Sequence, residues 1–597
     1  MKRKNIVLCS LAACAVVALA AIGVRYWVYG KKTVAPVVEK VRQRVQARPA
    51  SDTATVRRDT VPKTDYRISG TLRYDDGQPA ADVAVSDGYT VAVTDSMGRY
   101  AFRRDSLARY VWYTVPADCE VPVHGDDDRT AAFYLAVSKS RKVYDFTLQR
   151  LPGGRQHDYR LVVLGDPQVT NAKNPFYTDA TDNPVQRSDI ERFTSETMTD
   201  LRAWLATLPD SVPVYGLSMG DDVQYYGGYN AALEMQIRRA LGSTRMCLFS
   251  VIGNHDQDGK ALYRSKWMEA WGPDDYSFDR GDEHYVCLNN VQFFHGASYY
   301  SPGELSARQM RWLRQDLAHV PRDRKVVLCY HIPFTFGNAP FKNAKPVGIE
   351  SEKGHYTSSR LSHLLQLLKQ FEGGYELFCG HTHFACNHEI QYEGEPVTEH
   401  CHAAACGNIW QSNINICGTP NGYYVYSFVG TRISDCYYKG TFWDKHKQMT
   451  LFRAQTDFNG EKYADDWNLS KDKNVLIANV FNADSHWRVV AVEDGKEYPM
   501  HRLGGKGQDA FAAGYHHKYA ESVSYWFISK QNSYLIMNHL YYYTPKNPNA
   551  KISIKAQDPY GHTYTASSSE AVTEPFANYA HYYEREYRKT ASKQNNQ

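Results

Sequence analysis

Five short segments of the chain carry side chains that could bind metal ions. They are Gly165-Asp166-Pro167-Gln168, Gly220-Asp221-Asp222, Gly253-Asn254-His255-Asp256, His331 and Gly380-His381-Thr382-His383. Carboxylate, amide and imidazole groups in this mixture suit a pair of divalent cations. Two cations held about 3.5–4 Å apart can neutralise the charge of a phosphate ester and turn a water into hydroxide near neutral pH. The segments therefore predict metal-assisted hydrolysis of a phosphate ester.

Each segment lies at the end of a predicted strand. Apolar runs precede four of the segments, namely LVVL, VYGLSM, MCLFSVI and YELFC, and His331 ends a fifth run, KVVLCY. Three helical stripes, at residues 197–208, 310–317 and 361–368, fall between or near these strands. Because the carboxyl ends of parallel strands meet at one edge of a sheet, the five segments are expected to converge.

The order of the segments resembles the pattern of the calcineurin-like metallophosphoesterase superfamily, over roughly residues 158–400. That pattern runs D-x-H, G-D-x-x-D, G-N-H followed by D or E, a single His, and G-H-x-H. Gln168 stands here in place of the first His, and Gln224 in place of the Asp that often ends the second motif. A D-P-Q opening is similar to that of one branch, the complete-S-transactivated-protein-like group, so Gln168 need not abolish activity.

The resemblance implies two sets of metal ligands. The first ion is expected to have four ligands: Asp166, Gln168, Asp221 and His383. The second ion is expected to share Asp221 and to have three further ligands: Asn254, His331 and His381. Gln168 would supply a neutral oxygen where an imidazole is usual, which favours manganese, iron or magnesium over two zinc ions.

The third segment also implies a catalytic acid. His255 follows the ligand Asn254 and is expected to contact the substrate, stabilise its equatorial oxygens and protonate the leaving alkoxide. Asp256 is expected to orient His255 and keep it protonated; the alternative is a simple turn residue. Asp222 could be an acid behind the ligands or a solvated neighbour, and the sequence leaves both open.

The resemblance and the strand pattern together predict a multidomain chain. Residues 158–404 are expected to form a catalytic α/β domain of two packed mixed sheets flanked by helices. Turn signals such as Asp75-Asp76-Gly77 predict a small β-sandwich over residues 65–150. Three phrases in it, Gly70-Thr71-Leu72, Asp82–Gly88 and Thr94–Phe102, resemble the transthyretin- or carboxypeptidase-regulatory-like sandwiches. Residues 405–590 are predicted to be a mostly-β domain, as in the three-part bacterial members of the superfamily. The segment 333–358, rich in Gly, Pro, Asn and Lys, is predicted to border the substrate.

The N-terminus predicts export. Residues 1–4 are MKRK, and residues 6–24 form an uncharged stretch of 19 apolar or small residues. Residues 1–30 are therefore predicted to be a signal peptide or membrane anchor, and residues 31–64 a linker. An uncleaved anchor, cleavage after Ala20 and lipid attachment at Cys14 remain alternatives, and each places the rest of the chain in the periplasm or at the cell surface.

Ten cysteines lie beyond this stretch, and the sequence allows three states for them. Those within strand-like runs are expected to be buried free thiols: Cys247, Cys287, Cys329 and Cys379. Those nearer turns could form disulfides in an exported protein: Cys386, Cys401, Cys406, Cys417 and Cys436. A zinc site is a further alternative, although the spacing fits no standard zinc finger: Cys386, His388, His400, Cys401, His402 and Cys406.

Composition limits the choice of substrate. A net charge of +4 over 597 residues argues against a dedicated nucleic-acid binder. The 45 tyrosines fit β-strand propensity better than a sugar- or membrane-stacking surface. We expect an exported enzyme that hydrolyses phosphate mono- or diesters, on a lipid-, glycan- or nucleotide-linked substrate. The alternative is a cell-surface binding protein with a vestigial phosphoesterase domain, and Gln168 is its only support.

Overall fold

The computed structural model describes residues 67–174, 185–225, 228–257, 259–292, 303–335, 356–456, 474–503, 509–518 and 538–571. All of them belong to one compact unit, Tyr66–Gln597. The predicted signal or anchor and the linker lie outside the described residues, as does most of the predicted substrate loop. In the part of the chain that is described, no helix is long and apolar enough to cross a membrane.

The N-terminal region consists of short strands. They are β1 (Arg67–Tyr74), β2 (Ala84–Ser86), β3 (Val91–Val93), β4 (Arg99–Arg103), β5 (Tyr110–Tyr113), β6 (Val123–Gly125), β7 (Asp128–Ala131), β8 (Tyr134–Ala136) and β9 (Phe146–Leu148). Seven of them form two small sheets, in the orders β4-β1-β9 and β3-β2-β5-β8. Alternate residues such as Ile68 and Leu72 of β1 are buried, as expected for strands with one face on a core.

The central region contains two mixed sheets. Its strands are β10 (Asp158–Leu164), β11 (Val214–Ser218), β12 (Cys247–Ser250), β13 (Tyr276–Arg280), β14 (Glu283–Leu288), β15 (Lys325–Tyr330), β16 (Tyr375–Cys379), β17 (Cys386–Tyr392), β18 (Glu395–Cys401), β19 (Gly422–Val429) and β20 (Arg432–Gly440). The first sheet has the order β20-β19-β10-β11-β12-β7-β6, and the second has the order β13-β14-β15-β16-β18-β17.

The two central sheets pack against each other through aromatic side chains. Phe249 of β12 stacks on Phe278 of β13 with ring centroids 3.5 Å apart. The hydroxyl groups of Tyr159 in β10 and Tyr285 in β14 are 2.5 Å apart. Strands β11, β12 and β15 are buried along their whole length, which is typical of strands covered on both faces. The predicted fold class, with two packed mixed sheets, is confirmed.

The described helices lie between these strands or near the C-terminus. They are α1 (Asp189–Arg192), α2 (Met198–Leu205), α3 (Ala231–Leu241), α4 (Asn254–Gln257), α5 (Ala261–Trp271), α6 (Ala307–Leu317), α7 (Tyr356–Leu368) and α8 (Ala510–Lys518), and a π-helical turn (Phe193–Thr197) joins α1 to α2. The three predicted stripes correspond to α2, α6 and α7. Ser306 begins α6 with a capping box to Gln309, which satisfies backbone N–H groups at the helix start.

The C-terminal region is mostly β, as predicted. Its strands are β21 (Met449–Arg453), β22 (Leu476–Val480), β23 (Arg488–Glu493), β24 (Lys496–Pro499), β25 (His501–Arg502), β26 (Leu540–Tyr543), β27 (Ser553–Gln557) and β28 (Thr563–Ser567). They form two four-stranded sheets, β21-β22-β26-β25 and β24-β23-β27-β28, around a shared core. Tyr541 and Tyr543 are buried in that core, so these tyrosines serve packing rather than an exposed stacking surface.

Strand pairing crosses the predicted domain limits. Strand β7 of the N-terminal region joins β12 at Thr130 and Leu248. The hairpin β19–β20, which lies beyond residue 404, pairs through β19 with β10, as at Tyr159 and Phe428. The first central sheet is therefore built from three parts of the sequence. The division into domains at residues 65–150, 158–404 and 405–590 stays a prediction.

All ten described cysteines are buried, and none of them forms a disulfide. The prediction of free thiols for the four strand cysteines is confirmed, and no disulfide joins the others. The six residues of the alternative zinc site do not form one cluster. His388 Nδ1 lies 3.6 Å from Cys386 Sγ, but the other two histidines have other partners. His402 lies between the Cys379 carbonyl (2.8 Å) and the Tyr426 hydroxyl (2.9 Å), and His400 lies 2.9 Å from Asn387 Oδ1.

A buried charged histidine contributes to the stability of the second sheet. His284 in β14 is 3% exposed, with Nδ1 2.7 Å from the Asp279 carboxylate and Nε2 2.9 Å from the Asp316 carboxylate. Burial alone would lower its pKa, but Asp316 and Asp279 outweigh burial and raise the pKa of His284 to about 10. The raised value means that this stabilisation is complete below the unfolded pKa of about 6.5 and is lost as the pH rises through the folded value.

We predict that His284→Gln lowers the free energy of unfolding by about 3–5 kcal/mol at about pH 6, because it leaves the buried Asp316 carboxylate and the half-buried Asp279 carboxylate without their charged partner. The difference from the wild type should shrink as the pH approaches the folded pKa of His284. Thermal unfolding of both proteins across this range measures it, with His157→Gln as the control because His157 is a 60% exposed partner of Asp282. A difference that does not change with pH would contradict a charged His284.

Candidate metal centre

The five segments meet at one edge of the two central sheets. Strands β10, β11 and β12 are parallel and end level, since Leu164 pairs with Ser218 and Ser218 with Ser250. In the second sheet β15 and β16 are also parallel. The backbone N–H of Gly380 donates to the His331 carbonyl (2.9 Å), and the N–H of His381 donates to Asp166 Oδ2 (2.9 Å). The predicted convergence of the segments is confirmed.

Most of the proposed ligands have a left-handed backbone. Five of the seven have a positive φ: Asp166 (37°), Gln168 (39°), Asp221 (51°), His381 (72°) and His383 (56°). Such a conformation costs a residue other than glycine of the order of 1–3 kcal/mol and persists only where the surroundings impose it. The strain turns each side chain out of its strand direction and toward a common centre. Its concentration at these positions is typical of a functional site.

The ligands proposed for the second ion form a cluster of hydrogen-bond acceptors. His331 Nδ1 donates to the Met219 carbonyl (2.8 Å), so its unprotonated Nε2 would face the other ligands. That Nε2 lies 3.1 Å from Asn254 Oδ1 and 3.1 Å from Asp221 Oδ2. A histidine that donates its other N–H to a backbone carbonyl is the usual arrangement of a metal-binding imidazole. Together with His381, these side chains fit a divalent cation.

Burial and the neighbouring charged groups shift the pKa values of His331 and His381 in opposite directions. Burial opposes charge on His331, but the Asp221 and Asp166 carboxylates outweigh it and raise the pKa of His331 to about 9. A proton therefore balances the carboxylates when no cation does. Burial and the neighbouring His331 keep the pKa of His381 well below its usual value. His381 is thus neutral, as a metal ligand must be.

The ligands proposed for the first ion lie beside this cluster. Asp166 is fully buried, and its Oδ1 lies 3.5 Å from His383 Nε2. Gln168 is 1% exposed, and its Oε1 has no hydrogen-bond partner among the described residues. A buried carbonyl oxygen without a donor is costly unless a cation or water satisfies it. The donor set therefore fits an ion here too, and the assignment of Gln168 as a ligand stays a prediction that this geometry supports.

His255 occupies the open side of the centre. Asp166, Asp221, Asn254 and His331 are buried, whereas His255 is half-buried. Its backbone N–H donates to Asp221 Oδ1 (2.7 Å), so the imidazole is not needed to position that carboxylate. Burial lowers the pKa of His255 despite the opposing effect of Asp221. A dianionic phosphate beside the ring would raise that pKa again, as an acid catalyst requires.

Asp256 does not orient His255, and that prediction is wrong. Its Oδ2 accepts the backbone N–H groups of Gly253 (2.7 Å) and Asp221 (2.9 Å), and its Oδ1 accepts that of Val223 (3.2 Å). Burial and the nearby Asp222 raise its pKa well above the usual range. Asp256 therefore ties the second and third segments together through their backbones and holds Asp221 in its left-handed conformation. The alternative of a simple turn residue also understates its role.

Asp222 lies behind the ligands and is not a solvated neighbour. It is fully buried, with Oδ1 accepting from the Ser218 hydroxyl (2.5 Å) and Oδ2 from the Ser250 hydroxyl (2.9 Å). Burial raises its pKa to about 7. Of the two alternatives left by the sequence, the structure favours the acid behind the metal ligands.

Sequence reasoning missed the support that comes from the loop between β18 and β19. Trp410 Nε1 donates to the carbonyl of Pro167, in the middle of the first segment (2.8 Å). Arg192 Nη1 donates to the Trp410 carbonyl (2.6 Å). Trp410 itself has a φ of 59°, a second place where strain is held near the ligands. No motif marks Trp410, because its role depends on tertiary contacts far apart in the chain.

Comparisons with known proteins agree with this geometry at both ends of the chain. A model for the N terminal of calcineurin-like phosphoesterase matches residues 66–151, and a model for the C terminal of calcineurin-like phosphoesterase matches residues 399–564. No curated protein matches the chain. The matched stretches flank the five metal-binding segments and contain none of them.

Two solved structures show distant likenesses. The phosphopantetheinyl hydrolase of Mycobacterium tuberculosis is 10% identical over 42% of this chain and 90% of its own, with a TM-score of 0.23. The purple acid phosphatase PPD1 of yellow lupin (Lupinus luteus) is 14% identical over 70% of this chain and 68% of its own, with a TM-score of 0.25. Both are too distant to assign a substrate.

Two packed mixed sheets with clustered carboxylate, amide and imidazole ligands at their edge define a metal-dependent phosphoesterase. The two family models that flank this centre make the assignment specific. The chain is thus similar to the calcineurin-like phosphoesterase family over residues 66–151 and 399–564.

We predict that Asp256→Asn lowers metal content and thermal stability together. An asparagine offers one acceptor and an N–H₂ group, which cannot serve the backbone N–H groups that Asp256 holds. Asp222→Asn is the matched control, because its serine hydroxyl partners can reverse their hydrogen bonds and metal content should stay near normal. Metal content is measured by elemental analysis of the purified proteins. Normal metal content in Asp256→Asn, together with an altered pH profile of turnover, would contradict this role and support the sequence-based prediction that Asp256 orients His255.

Proposed function

We propose that the protein is an exported, metal-dependent phosphoesterase that hydrolyses phosphate mono- or diesters. One observation carries the proposal: His331 Nε2 lies 3.1 Å from both Asn254 Oδ1 and Asp221 Oδ2, while His331 Nδ1 donates to a backbone carbonyl. Electron-rich atoms at this spacing need a proton or a cation among them, and this mixture of atom types fits a divalent cation. The atoms above belong to the site of the second ion. The buried Oε1 of Gln168 gives independent support for the site of the first ion.

The roles of the side chains follow from their exposure and bonds. Bound divalent ions would supply charge neutralisation and an activated water at this edge of the sheets. Asp221 is held by the N–H of His255 and by the backbone bonds of Asp256, so it can lie between two cations without moving. His255 is half-buried at the open side, where it can contact the phosphoryl oxygens and give a proton to the leaving oxygen.

The vestigial alternative receives little support from the geometry. It depended on Gln168, which retains a buried acceptor among the proposed ligands. Strained left-handed conformations at five of the proposed ligands cost stability and serve no purpose in a binding protein without metals. We therefore keep catalysis as the proposed function.

The location and substrate class are proposed from the sequence. The basic start and the 19-residue apolar stretch at residues 6–24 support export, with the catalytic part in the periplasm or at the cell surface. A lipid-, glycan- or nucleotide-linked phosphoester suits that location. Cell fractionation that finds the full-length protein free in the cytoplasm would contradict it.

We predict that Asp221→Asn loses metal and activity together, because it removes the carboxylate between the two cation positions. Metal content and turnover of an aryl phosphate should be measured with manganese, iron or zinc supplied. Asp76→Asn is the control, since Asp76 is an exposed partner of Arg150 (52% exposed). A wild-type protein that binds none of these metals and hydrolyses no phosphoester would refute the proposed function.

We predict that His255→Asn keeps its metals and loses turnover by about 10²–10⁴-fold, the usual contribution of general acid–base catalysis. The loss should be largest for alkyl phosphates, whose leaving group needs a proton, and smaller for activated aryl esters. Parallel kinetics on both ester types measure it. Equal losses would show that His255 mainly stabilises equatorial charge, and loss of metal would show that it is a ligand.

A further inference from the structure

The two departures from the superfamily pattern contact each other. Gln168 and Gln224 lie 56 residues apart, yet Gln168 Nε2 donates to Gln224 Oε1 (2.5 Å). The backbones on either side are also joined. The N–H of Gln224 donates to the Val169 carbonyl (2.9 Å), and the N–H of Gln168 donates to the Asp221 carbonyl (2.7 Å). Gln224 is therefore held in fixed register beside Gln168.

The contact determines which end of the Gln168 amide points into the centre. A primary amide carries an acceptor oxygen on one side and an N–H₂ donor on the other. Because Gln224 Oε1 receives the N–H₂ group, Gln168 Oε1 is left on the opposite side, buried and without a hydrogen-bond partner among the described residues. The reverse orientation would point a donor at the cation and set two oxygens against each other at Gln224.

We propose that Gln224 is a positioning residue that fixes the Gln168 amide with its oxygen toward the first cation. The inference rests on the proposed function and deepens it, because it concerns how this site selects its metal. The pattern places His and Asp where this chain has Gln168 and Gln224, so both departures occur at two positions that contact each other here. The exchange keeps the ligand neutral and changes its donor atom from nitrogen to oxygen, which favours Mn²⁺ over Zn²⁺.

The side chain at position 224 can be varied to test orientation directly. Gln224→Glu keeps an acceptor for the Gln168 N–H₂ group, whereas Gln224→Met removes it at similar size. Gln315→Met is the matched control, because Gln315 is half-buried on α6 and bonds the Tyr89 carbonyl and the Val91 N–H instead. Gln168→Ala supplies the background in which the amide is absent.

The experiment is Mn²⁺ titration of the metal-free full-length protein, with free Mn²⁺ followed by electron paramagnetic resonance. We expect Gln224→Met to weaken one of two Mn²⁺ sites by about 10–100-fold, as for other residues that orient a metal ligand. Gln315→Met should bind Mn²⁺ as tightly as the wild type does. Gln224→Glu should bind Mn²⁺ as tightly as the wild type or more tightly. In the Gln168→Ala background, Gln224→Met should have no further effect, since it acts through an amide that is gone.

The outcomes separate the inference from the proposed function. If the wild type binds two Mn²⁺ ions and hydrolyses phosphoesters, but Gln224→Met binds as the wild type does, only the inference fails. Equal weakening by Gln224→Met with and without Gln168 would also overturn it, because the residue would act independently. A wild type that binds no metal would overturn both.

A paired exchange tests metal selection. The double variant Gln168→His, Gln224→Asp should raise the ratio of Zn²⁺ affinity to Mn²⁺ affinity at one site and leave the other site unchanged. The same titration with Zn²⁺ competing against Mn²⁺ measures the ratio. An unchanged ratio would show that the pair does not set the metal preference.

Discussion

The structure depends on one constraint, a dense group of hydrogen-bond acceptors that has too few donors. Asp221 Oδ2 and Asn254 Oδ1 both lie within hydrogen-bond distance of His331 Nε2, and Gln168 Oε1 is buried without a partner among the described residues. Such groups are unfavourable together in a protein interior unless positive charge joins them. The left-handed backbone at Asp166 and Asp221 adds strain at the same place. The strained segments must therefore be stabilised by hydrogen bonds from residues around the centre.

The outside support comes from distant parts of the chain. Asp256 holds three backbone N–H groups of the second and third segments, and Trp410 holds the first segment from the loop between β18 and β19. That loop is in turn bound to the C-terminal region, where Asn479 donates to the Cys417 carbonyl (2.7 Å). The C-terminal sheets are thus connected to the metal centre through a few buried polar contacts. The pairing of β19 with β10 adds a further connection through the first central sheet.

The sequence predicted what depends on local pattern. Apolar runs followed by ligand-type residues gave the strands β10, β11, β12, β15 and β16 and the convergence of the five segments, and the 3.6-residue stripes gave α2, α6 and α7. The role of Asp256 was not predictable, because a carboxylate next to His255 in sequence accepts backbone N–H groups that lie 35 and 33 residues earlier in the chain. The joining of β7 and β19–β20 to the central sheet was missed for the same reason, since strand pairing between distant segments leaves no local signal.

The charge of the ligand set explains why a neutral glutamine can be accepted in it. Among the seven proposed ligands only Asp166 and Asp221 are carboxylates, so two divalent ions would leave an excess positive charge at the centre. A dianionic phosphoester is complementary to such a centre. Replacing a neutral imidazole with the neutral Gln168 amide leaves the net charge of the ligand set unchanged. It changes only the ligand atom, from nitrogen to oxygen, and hence the preferred metal.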